Sequence, residues 1–230
     1  MAHNFEEINC IDCKYQSNCF NKLIQSELEF INQNKVLVKY KKGETIYKQG
    51  AFSSHIMYVV NGYATKYLEG TNNKNLIVKI IKPFEYIGLS SLFCINEHCY
   101  YSVSAITDTT LCLIKKDDLK KLISINNEFA QEIIKWYCIN DKETFNKLKS
   151  INNKHMPGLL AEAIIYINQK EYSEIASIIT RKNLAELSGI SVESTIRILS
   201  EFKKEKIIDF DGKAIKIINK ETLINISKNG

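Results

Sequence analysis

The sequence has neither a long apolar run nor a segment that directs a protein to a membrane. No apolar run in its 230 residues approaches the roughly 20 that are needed to cross a bilayer. The start of the chain, Met1 to Asn9, is polar and acidic, and it lacks the basic and apolar regions of a signal peptide. We therefore predict a cytoplasmic protein with no membrane partner.

Motifs of enzyme active sites are also absent. The sequence contains no nucleophile–base motif, no H-E-x-x-H motif and no P-loop, and its four histidines are scattered. We therefore predict that the protein is not an enzyme. The composition is that of a globular protein, with 45% hydrophobic and 25% charged residues, and the length suits one large domain or two small ones. The net charge of +5 permits a nucleic-acid partner without demonstrating one.

Short β-like runs separated by glycine-containing turns fill the region from Lys35 to about Leu113. One of the turns, Asn61-Gly62, predicts a two-residue hairpin loop in which both residues have positive φ. Many short strands at this spacing predict a sandwich, a barrel or a β-roll. The predicted strands cover residues 36–40, 45–47, 56–60, 63–68, 76–81, 101–105 and 111–114.

Helical patterns flank the β region, over residues 26–34 before it and 116–123, 127–152 and 155–168 after it. The longest of them carries an apolar stripe that either packs on the β region of its own chain or forms a dimer. We favour a dimerisation helix, because the stripe continues where no β element remains to cover it. The stripe consists of Phe129, Ile133, Trp136, Tyr137, Phe145, Leu148 and Ile151.

Residues 180 to 202 have the features of a helix-turn-helix. A short helix over 181–188 is followed by Gly189, which tolerates the left-handed backbone of a tight turn. Ser191 then caps a second helix by accepting a hydrogen bond from a free N–H group. The side chains predicted to pack inward are those of Leu184, Ala185, Leu187, Ile190, Thr195, Ile198, Leu199 and Phe202.

The outward face of the second helix is the candidate DNA-reading surface and consists of Val192, Glu193, Ile196 and Arg197. Arginine can bind guanine through two hydrogen bonds, and glutamate can accept one from cytosine. The alternative is that Glu193 and Arg197 are a solvated i,i+4 pair, but the turn, the cap and the following hairpin favour DNA reading. This hairpin, a predicted wing, has Asp211-Gly212 at its tip. Predicted additional DNA contacts are Arg181, Lys182, Ser191 and Lys203, with Lys204 and Lys206 as further candidates for phosphate contacts.

With these features the sequence resembles the Crp/Fnr family of bacterial regulators over about residues 10 to 225. The most specific matches are residues 179–199, and residues 42–50 with 59–62. The resemblance implies an α+β protein with an N-terminal cyclic-nucleotide-binding-like β-roll, a long dimerisation helix and a C-terminal winged helix-turn-helix. It also implies a homodimer that activates transcription at a near-palindromic DNA site, with RNA polymerase as a partner. The implied domains are a cysteine-containing segment over 1–24, the β-roll over 25–125, the dimerisation helix over 126–154 and the DNA-binding domain over 155–230.

Two departures limit what this resemblance implies. In the anaerobic-regulator branch of the family the third reading residue is serine, and here it is Ile196, so only the Glu193–Arg197 pair and its G·C base pair carry over. Members that bind cyclic nucleotides have a glutamate after the Ile-Gly turn and an arginine before the next strand. Here Leu89 follows Ile87-Gly88, and residues 97–102 contain no arginine, so we predict that cyclic AMP does not bind.

The cysteines resemble the cluster-binding branch more closely. Cys10, Cys13 and Cys19 have the spacing C-x2-C-x5-C, and Cys112 stands where that branch has its fourth ligand. Four thiolates are the usual ligands of a [4Fe–4S] cluster, whose loss in oxygen would release the DNA. They also suit structural Zn²⁺, and Cys112 could instead be an ordinary buried cysteine. Without any metal, the chain would be a regulator with an unknown effector in its β-roll, or a cyclic-nucleotide-type module that does not bind DNA.

Overall fold

The computed structural model describes residues 9–11, 13, 17–71, 74–94 and 98–230. The first eight residues of the predicted N-terminal segment therefore lie outside the described part. The fold combines helices and sheets, with an N-terminal β domain, a long helix and a C-terminal helix-turn-helix, which confirms the predicted fold class. The chain forms two compact units: unit 1 is Met1–Ala64 with Ile81–Lys142, and unit 2 is Thr65–Ile80 with Glu143–Gly230.

The elements follow the predicted order along the chain. The α-helices of the described part are α1 Gln25–Asn34, α2 Lys116–Ile125, α3 Asn127–Asn153, α4 Met156–Ile167, α5 Arg181–Ser188, α6 Val192–Lys204 and α7 Lys220–Asn229. Its strands are β1 Val36–Tyr40, β2 Thr45–Tyr47, β3 His55–Asn61, β4 Ala64–Leu68, β5 Leu76–Ile81, β6 Tyr86–Ile87, β7 Ser102–Ala105, β8 Thr109–Lys115, β9 Ile208–Asp211 and β10 Ala214–Ile217. In this part of the chain, no helix combines the length and the apolar character that crossing a membrane requires.

Unit 1 is built around a four-stranded sheet with the order β1-β8-β3-β6, and β2 pairs with β7 in an antiparallel arrangement. Strand β3 contributes to two hydrophobic cores, because successive residues of a strand point to opposite faces. Ile56 and Tyr58 belong to the first core, together with Phe129 of α3. Met57 and Val59 belong to the second core, which contains residues of β2, β7 and β8. The alternation places the sheet between these two cores.

Two features of this unit differ from the sequence predictions. Asn61 is not a loop residue, because it ends β3 and pairs with Thr110 of β8, and only Gly62 of the predicted turn has a positive φ, at 91°. Strand β6 was not predicted, since its two residues are too few to show an alternation. Cys112 lies within β8, as the predicted strand over residues 111–114 implies, and it pairs with Leu37 of β1.

The apolar stripe of α3 divides into a buried and an exposed part. Phe129 and Ile133 are buried in the first core, and Trp136 packs against it, so these three residues stabilise their own chain. Phe145 and Leu148 are instead 62% and 53% exposed. The prediction that this stripe packs against a second copy of the chain is therefore wrong for its first three residues.

In unit 2, α4 packs its buried apolar residues against α7 and α5. Helix α7 was not predicted from the sequence, although Asn219 caps its first turn by accepting a hydrogen bond of 3.0 Å from the N–H of Thr222. Strands β9 and β10 form an antiparallel hairpin in which Asp211 pairs with Ala214. The loop of this wing therefore consists of Gly212 and Lys213, one residue later than predicted, and Gly212 has a φ of 58°.

Candidate nucleic-acid interface

Helix α5 begins and ends where the sequence predicts. Thr180 caps it reciprocally with Asn183: the Thr180 hydroxyl accepts from the Asn183 N–H at 3.1 Å, and the Asn183 side-chain oxygen accepts from the Thr180 N–H at 3.0 Å. Gly189 ends the helix with a φ of +71°, and its N–H donates to the carbonyl of Ala185. Leu184, Ala185 and Leu187 are buried, as expected for the packing side.

Helix α6 follows with a cap of its own. The hydroxyl of Ser191 accepts a hydrogen bond of 3.1 Å from the N–H of Ser194, which satisfies one of the free donors of the first turn. The inward side is buried as predicted, except that Ile190 is half-buried. The buried residues of this side are Thr195, Ile198, Leu199 and Phe202.

We expect the Ser191→Ala substitution to weaken the start of α6 by about 1 kcal/mol, because one N–H group loses its acceptor. Amide hydrogen exchange should show protection of Ser194 and Thr195 falling roughly fivefold. Ser200→Ala is the matched control, since this exposed hydroxyl on the same helix bonds only the carbonyl of Ile196. Equal effects of the two substitutions would contradict the capping role of Ser191.

The predicted reading face is exposed along α6. Val192, Glu193, Ile196 and Arg197 all face solvent, with Val192 37% and Ile196 51% exposed. Arg197 pairs with Glu201 at 3.0 Å and not with Glu193, so the solvated pair considered for Glu193 and Arg197 is not formed. The pKa of Glu193 is lowered by its own backbone N–H and then by the Ser191 hydroxyl. Glu193 is therefore a carboxylate hydrogen-bond acceptor at neutral pH.

Basic side chains surround Phe210 of the wing. The guanidinium of Arg181 lies 4.4 Å from the centre of the Phe210 ring, and the ammonium of Lys203 lies 5.2 Å from it. Lys203 also pairs with Asp209 at 3.0 Å. Phe210 thus holds a cation from each helix of the helix-turn-helix beside the wing.

The remaining predicted phosphate contacts are positive and accessible. Lys182 is 66% exposed and lies 3.8 Å from the Glu186 carboxylate, which is a loose i,i+4 ion pair. Lys204 at the end of α6 and Lys206 just after it are exposed as well. A DNA backbone could approach all three without displacing buried packing.

The four predicted metal ligands lie near one another in unit 1. Cys10, Cys19 and Cys112 are buried members of the first core, and Cys13 is half-buried. Burial, and then the negative charge of Cys10, raise the pKa of Cys112 to about 12, while the positive charge of Lys35 acts in the opposite direction. The hydroxyl of Tyr58 lies within electrostatic range of Cys13, Cys19 and Cys112. These four cysteines are called the cysteine group below.

The thiols of the cysteine group are close together without forming a coordination shell. Within the described residues, no three His, Cys, Asp or Glu side chains are placed to hold a metal ion. The Cys10 sulfur accepts a hydrogen bond of 3.3 Å from the ammonium of Lys35, and burial raises the pKa of both Cys10 and Cys19. The four thiols suit a thiolate-ligated metal by their chemistry, but their positions in the described residues do not form a metal site.

The turn that would face a cyclic nucleotide is already bonded within the protein. The N–H of Gly88 donates to the Tyr101 hydroxyl at 2.8 Å, and the Tyr47 and Ser91 hydroxyls are 3.3 Å apart. Leu89 is 6% exposed, so an apolar side chain is buried where a ribose-binding carboxylate was expected in binders. Glu97, at the start of the segment without arginine, lies outside the described residues.

Two family descriptions match this chain, one for each end. Residues 37–126 match the Cyclic nucleotide-binding domain, and residues 160–226 match the Crp-like helix-turn-helix domain. A relative named CRP-like cAMP-activated global transcriptional regulator, from Mycobacterium tuberculosis, is 20% identical over 192 residues, which are 81% of this chain and 85% of the relative. The HTH-type transcriptional regulator ArcR of Staphylococcus aureus is 23% identical over 209 residues, 86% of this chain and 80% of ArcR.

Solved structures with the same fold cover nearly the whole chain. A Crp/Fnr-family protein from Eubacterium rectale superposes with a TM-score of 0.77 at 17% identity, covering 92% of this chain and 98% of that protein. FixK2 from Bradyrhizobium japonicum superposes with a TM-score of 0.73 at 19% identity, covering 84% of this chain and 96% of FixK2. At these low sequence identities, the similarity shows that the fold is shared and no more than that.

Proposed function

Because the chain belongs to the Crp/Fnr family of DNA-binding transcription regulators, which are not enzymes, we propose that it reads a near-palindromic DNA site as a homodimer. The observation that carries the proposal is the exposed face of α6, with Glu193 and Arg197 on a helix capped immediately after the Gly189 turn. In a helix-turn-helix this helix enters the major groove with its first residues on the base edges. RNA polymerase is the protein partner implied by the family resemblance.

The roles of the side chains follow from their chemistry. Arg197 would exchange its exposed pair with Glu201 for two hydrogen bonds to guanine, and Glu193 would accept from cytosine. Lys182, Lys203 and Arg181 would hold the phosphate backbone and set the register of the helix in the groove. Selection of binding sites from random duplexes tests this function. We expect two inverted half-sites about one helical turn apart, and the absence of any enriched sequence would refute it.

The exposed part of α3 supports the dimer. Ile134, Phe145 and Leu148 are 62%, 62% and 53% exposed in the single chain. Taking 100° per residue, Phe145 lies about 20° and Leu148 about 40° from Ile134 around the helix axis, so the three form one apolar edge. Two copies of this edge, related by a two-fold axis, would bury it.

The cysteine group is the proposed sensory site. Cys10, Cys13, Cys19 and Cys112 would hold a [4Fe–4S] cluster, and such a cluster, when bound, would make the protein sensitive to oxygen. Support comes from the donor set: Cys10 and Cys13 lie within electrostatic range of Cys112, and Cys19 belongs to the same hydrophobic core as Cys10 and Cys112. We do not propose cyclic AMP as the effector, since Tyr101 and Leu89 occupy the turn at Gly88.

Protein purified without oxygen tests the sensory proposal. We expect a brown protein with iron and sulfide in near-stoichiometric amounts, both lost in Cys13→Ala and in Cys112→Ala. Cys138→Ala is the matched control, because Cys138 is exposed on α3 and lies outside the cysteine group, and it should keep the colour. Colourless protein with zinc would make the group a structural zinc site, and colourless protein without metal would refute the metal proposal and leave DNA binding untouched.

A further inference from the structure

The end of helix α5 is held by a lysine from α3. The ammonium of Lys147 donates a hydrogen bond to the carbonyl of Leu187, in the last turn of α5. Such a carbonyl has no partner within its own helix, and a cation there also meets the negative end of the helix dipole. Lys147 is half-buried, and burial lowers its pKa, while the charge of Glu162 acts in the opposite direction. Glu162 itself is bonded to Ser150 and Lys154, at 3.0 and 2.8 Å.

Strands β4 and β5 are hydrogen-bonded neighbours and form a hairpin, and the part of it that belongs to unit 2 contacts the turn after α5 from another side. A methyl group added to Gly189 would lie 3.3 Å from the side chain of Leu76 on β5. The main chain of Ile80, near the other end of β5, is fixed as well. Its N–H donates to the Tyr166 hydroxyl at 3.1 Å, and the Tyr172 hydroxyl, 2.8 Å from that of Tyr166, donates to its carbonyl at 3.4 Å.

A short ion pair also joins the hairpin to α3. Lys79 of β5 lies 2.8 Å from Glu143, and the Lys79 side chain is only 12% exposed. The hairpin lies within residues 37–126, which match the Cyclic nucleotide-binding domain, yet these contacts are with the unit that contains the helix-turn-helix. Part of the sequence that matches the Cyclic nucleotide-binding domain, called the sensory sequence here, therefore belongs to unit 2, which also contains the helix-turn-helix.

We propose that Lys147 and Leu76 are positioning residues for DNA recognition, which clamp the segment Leu187–Gly189 and thereby fix the direction in which α6 leaves the turn. This inference rests on the proposed DNA-binding function. Lys147 acts on the turn through Leu187, and Leu76 acts on it through Gly189. Any displacement of the hairpin moves Leu76 against the turn, which gives the sensory sequence a direct mechanical path to the recognition helix.

Affinity for the selected DNA site and for a scrambled duplex tests the clamp. We expect Lys147→Met to weaken specific binding about tenfold, the usual size of the effect of losing a charge-assisted hydrogen bond, and to change non-specific binding less than about twofold. Lys147→Arg should restore most of the loss. Lys149→Met removes the same charge from an exposed neighbour and should leave the ratio of specific to non-specific affinity unchanged.

Leu76→Ala is a second test of the clamp, and it leaves the charge of the protein unchanged. Leu76→Ala should lower specific affinity in the same direction and should speed amide exchange at Gly189 and Ile190, whereas Leu68→Ala, on an exposed residue of the same hairpin, should do neither. Wild-type affinity in both Lys147→Met and Leu76→Ala would overturn the clamp, and so would an equal loss of specific and non-specific binding. Failure of the wild type to discriminate its selected site would instead refute the DNA-reading function itself.

Discussion

Simultaneous substitution of Glu193 and Arg197 by alanine is expected to lower affinity for the selected DNA site by roughly 10²- to 10³-fold. Both side chains are exposed at the start of α6, where they would meet base edges. Each side chain that hydrogen-bonds its matching base favours the correct base pair over others by a large difference in binding free energy. The double variant removes both of these contacts. Fluorescence anisotropy at a fixed salt concentration, with selected and scrambled duplexes, measures the effect.

The same experiment separates recognition of the base sequence from non-specific electrostatic attraction to DNA. The double variant removes one positive and one negative charge, so its affinity for scrambled DNA and its salt dependence should stay close to those of the wild type. Lys220→Ala with Glu221→Ala is the matched control, since it removes the same pair of charges from exposed positions of α7. Normal binding of the selected site by the Glu193→Ala, Arg197→Ala variant would sink the assignment of α6 to the major groove.

Arg197 is also expected to exchange its ion pair with Glu201 for a contact with a DNA base at a small cost in free energy. Its bond to Glu201 joins side chains that are 59% and 50% exposed, and ion pairs of this kind contribute little to stability. Glu193 keeps its negative charge at neutral pH, because the neighbouring N–H and Ser191 hydroxyl lower its pKa. Exchange of partners on binding therefore requires neither a proton nor a change in the buried side of α6.

The turn of the helix-turn-helix could be predicted to the residue because its signals are local. Gly189 and Ser191 each act on a helix end within three residues of themselves, so α5 ends and α6 begins where the sequence indicates, whereas α6 continues to Lys204, two residues past the predicted segment. The β region was predicted less exactly for the opposite reason. Asn61-Gly62 has the composition of a hairpin loop, but the pairing of Asn61 with Thr110 is decided by a strand that is distant in the sequence.

Long-range contacts also decide which apolar residues of α3 are core. Phe129 and Phe145 have the same chemistry on the same helix, yet Phe129 packs on Phe20, with 6.0 Å between the ring centres, and Phe145 is exposed. The contact of Lys147 with Leu187 is another long-range contact that the sequence does not show. Lys147 has the sequence context of a solvated lysine on a long helix, and only the fold brings it to the end of α5.

The exposed edge of α3 leads to the second large effect. Phe145→Glu with Leu148→Glu is expected to convert the dimer into a monomer, because four carboxylates would meet at the two-fold axis in place of apolar side chains. Affinity for the full palindrome should then fall by about 10²- to 10⁴-fold, since two linked half-sites bind far more tightly than one. Affinity for an isolated half-site should remain that of the wild type.

Ile139→Glu supplies the matched control for this experiment. Ile139 is 61% exposed, as Phe145 is 62%, but it lies about 140° from Ile134 around the helix and therefore off the apolar edge. Sedimentation should find this variant dimeric and the double variant monomeric at the same concentration. If Ile139→Glu disrupts the dimer and the double variant does not, the two chains associate through a different face of α3. If neither does, DNA recognition by two copies must depend on contacts outside this helix.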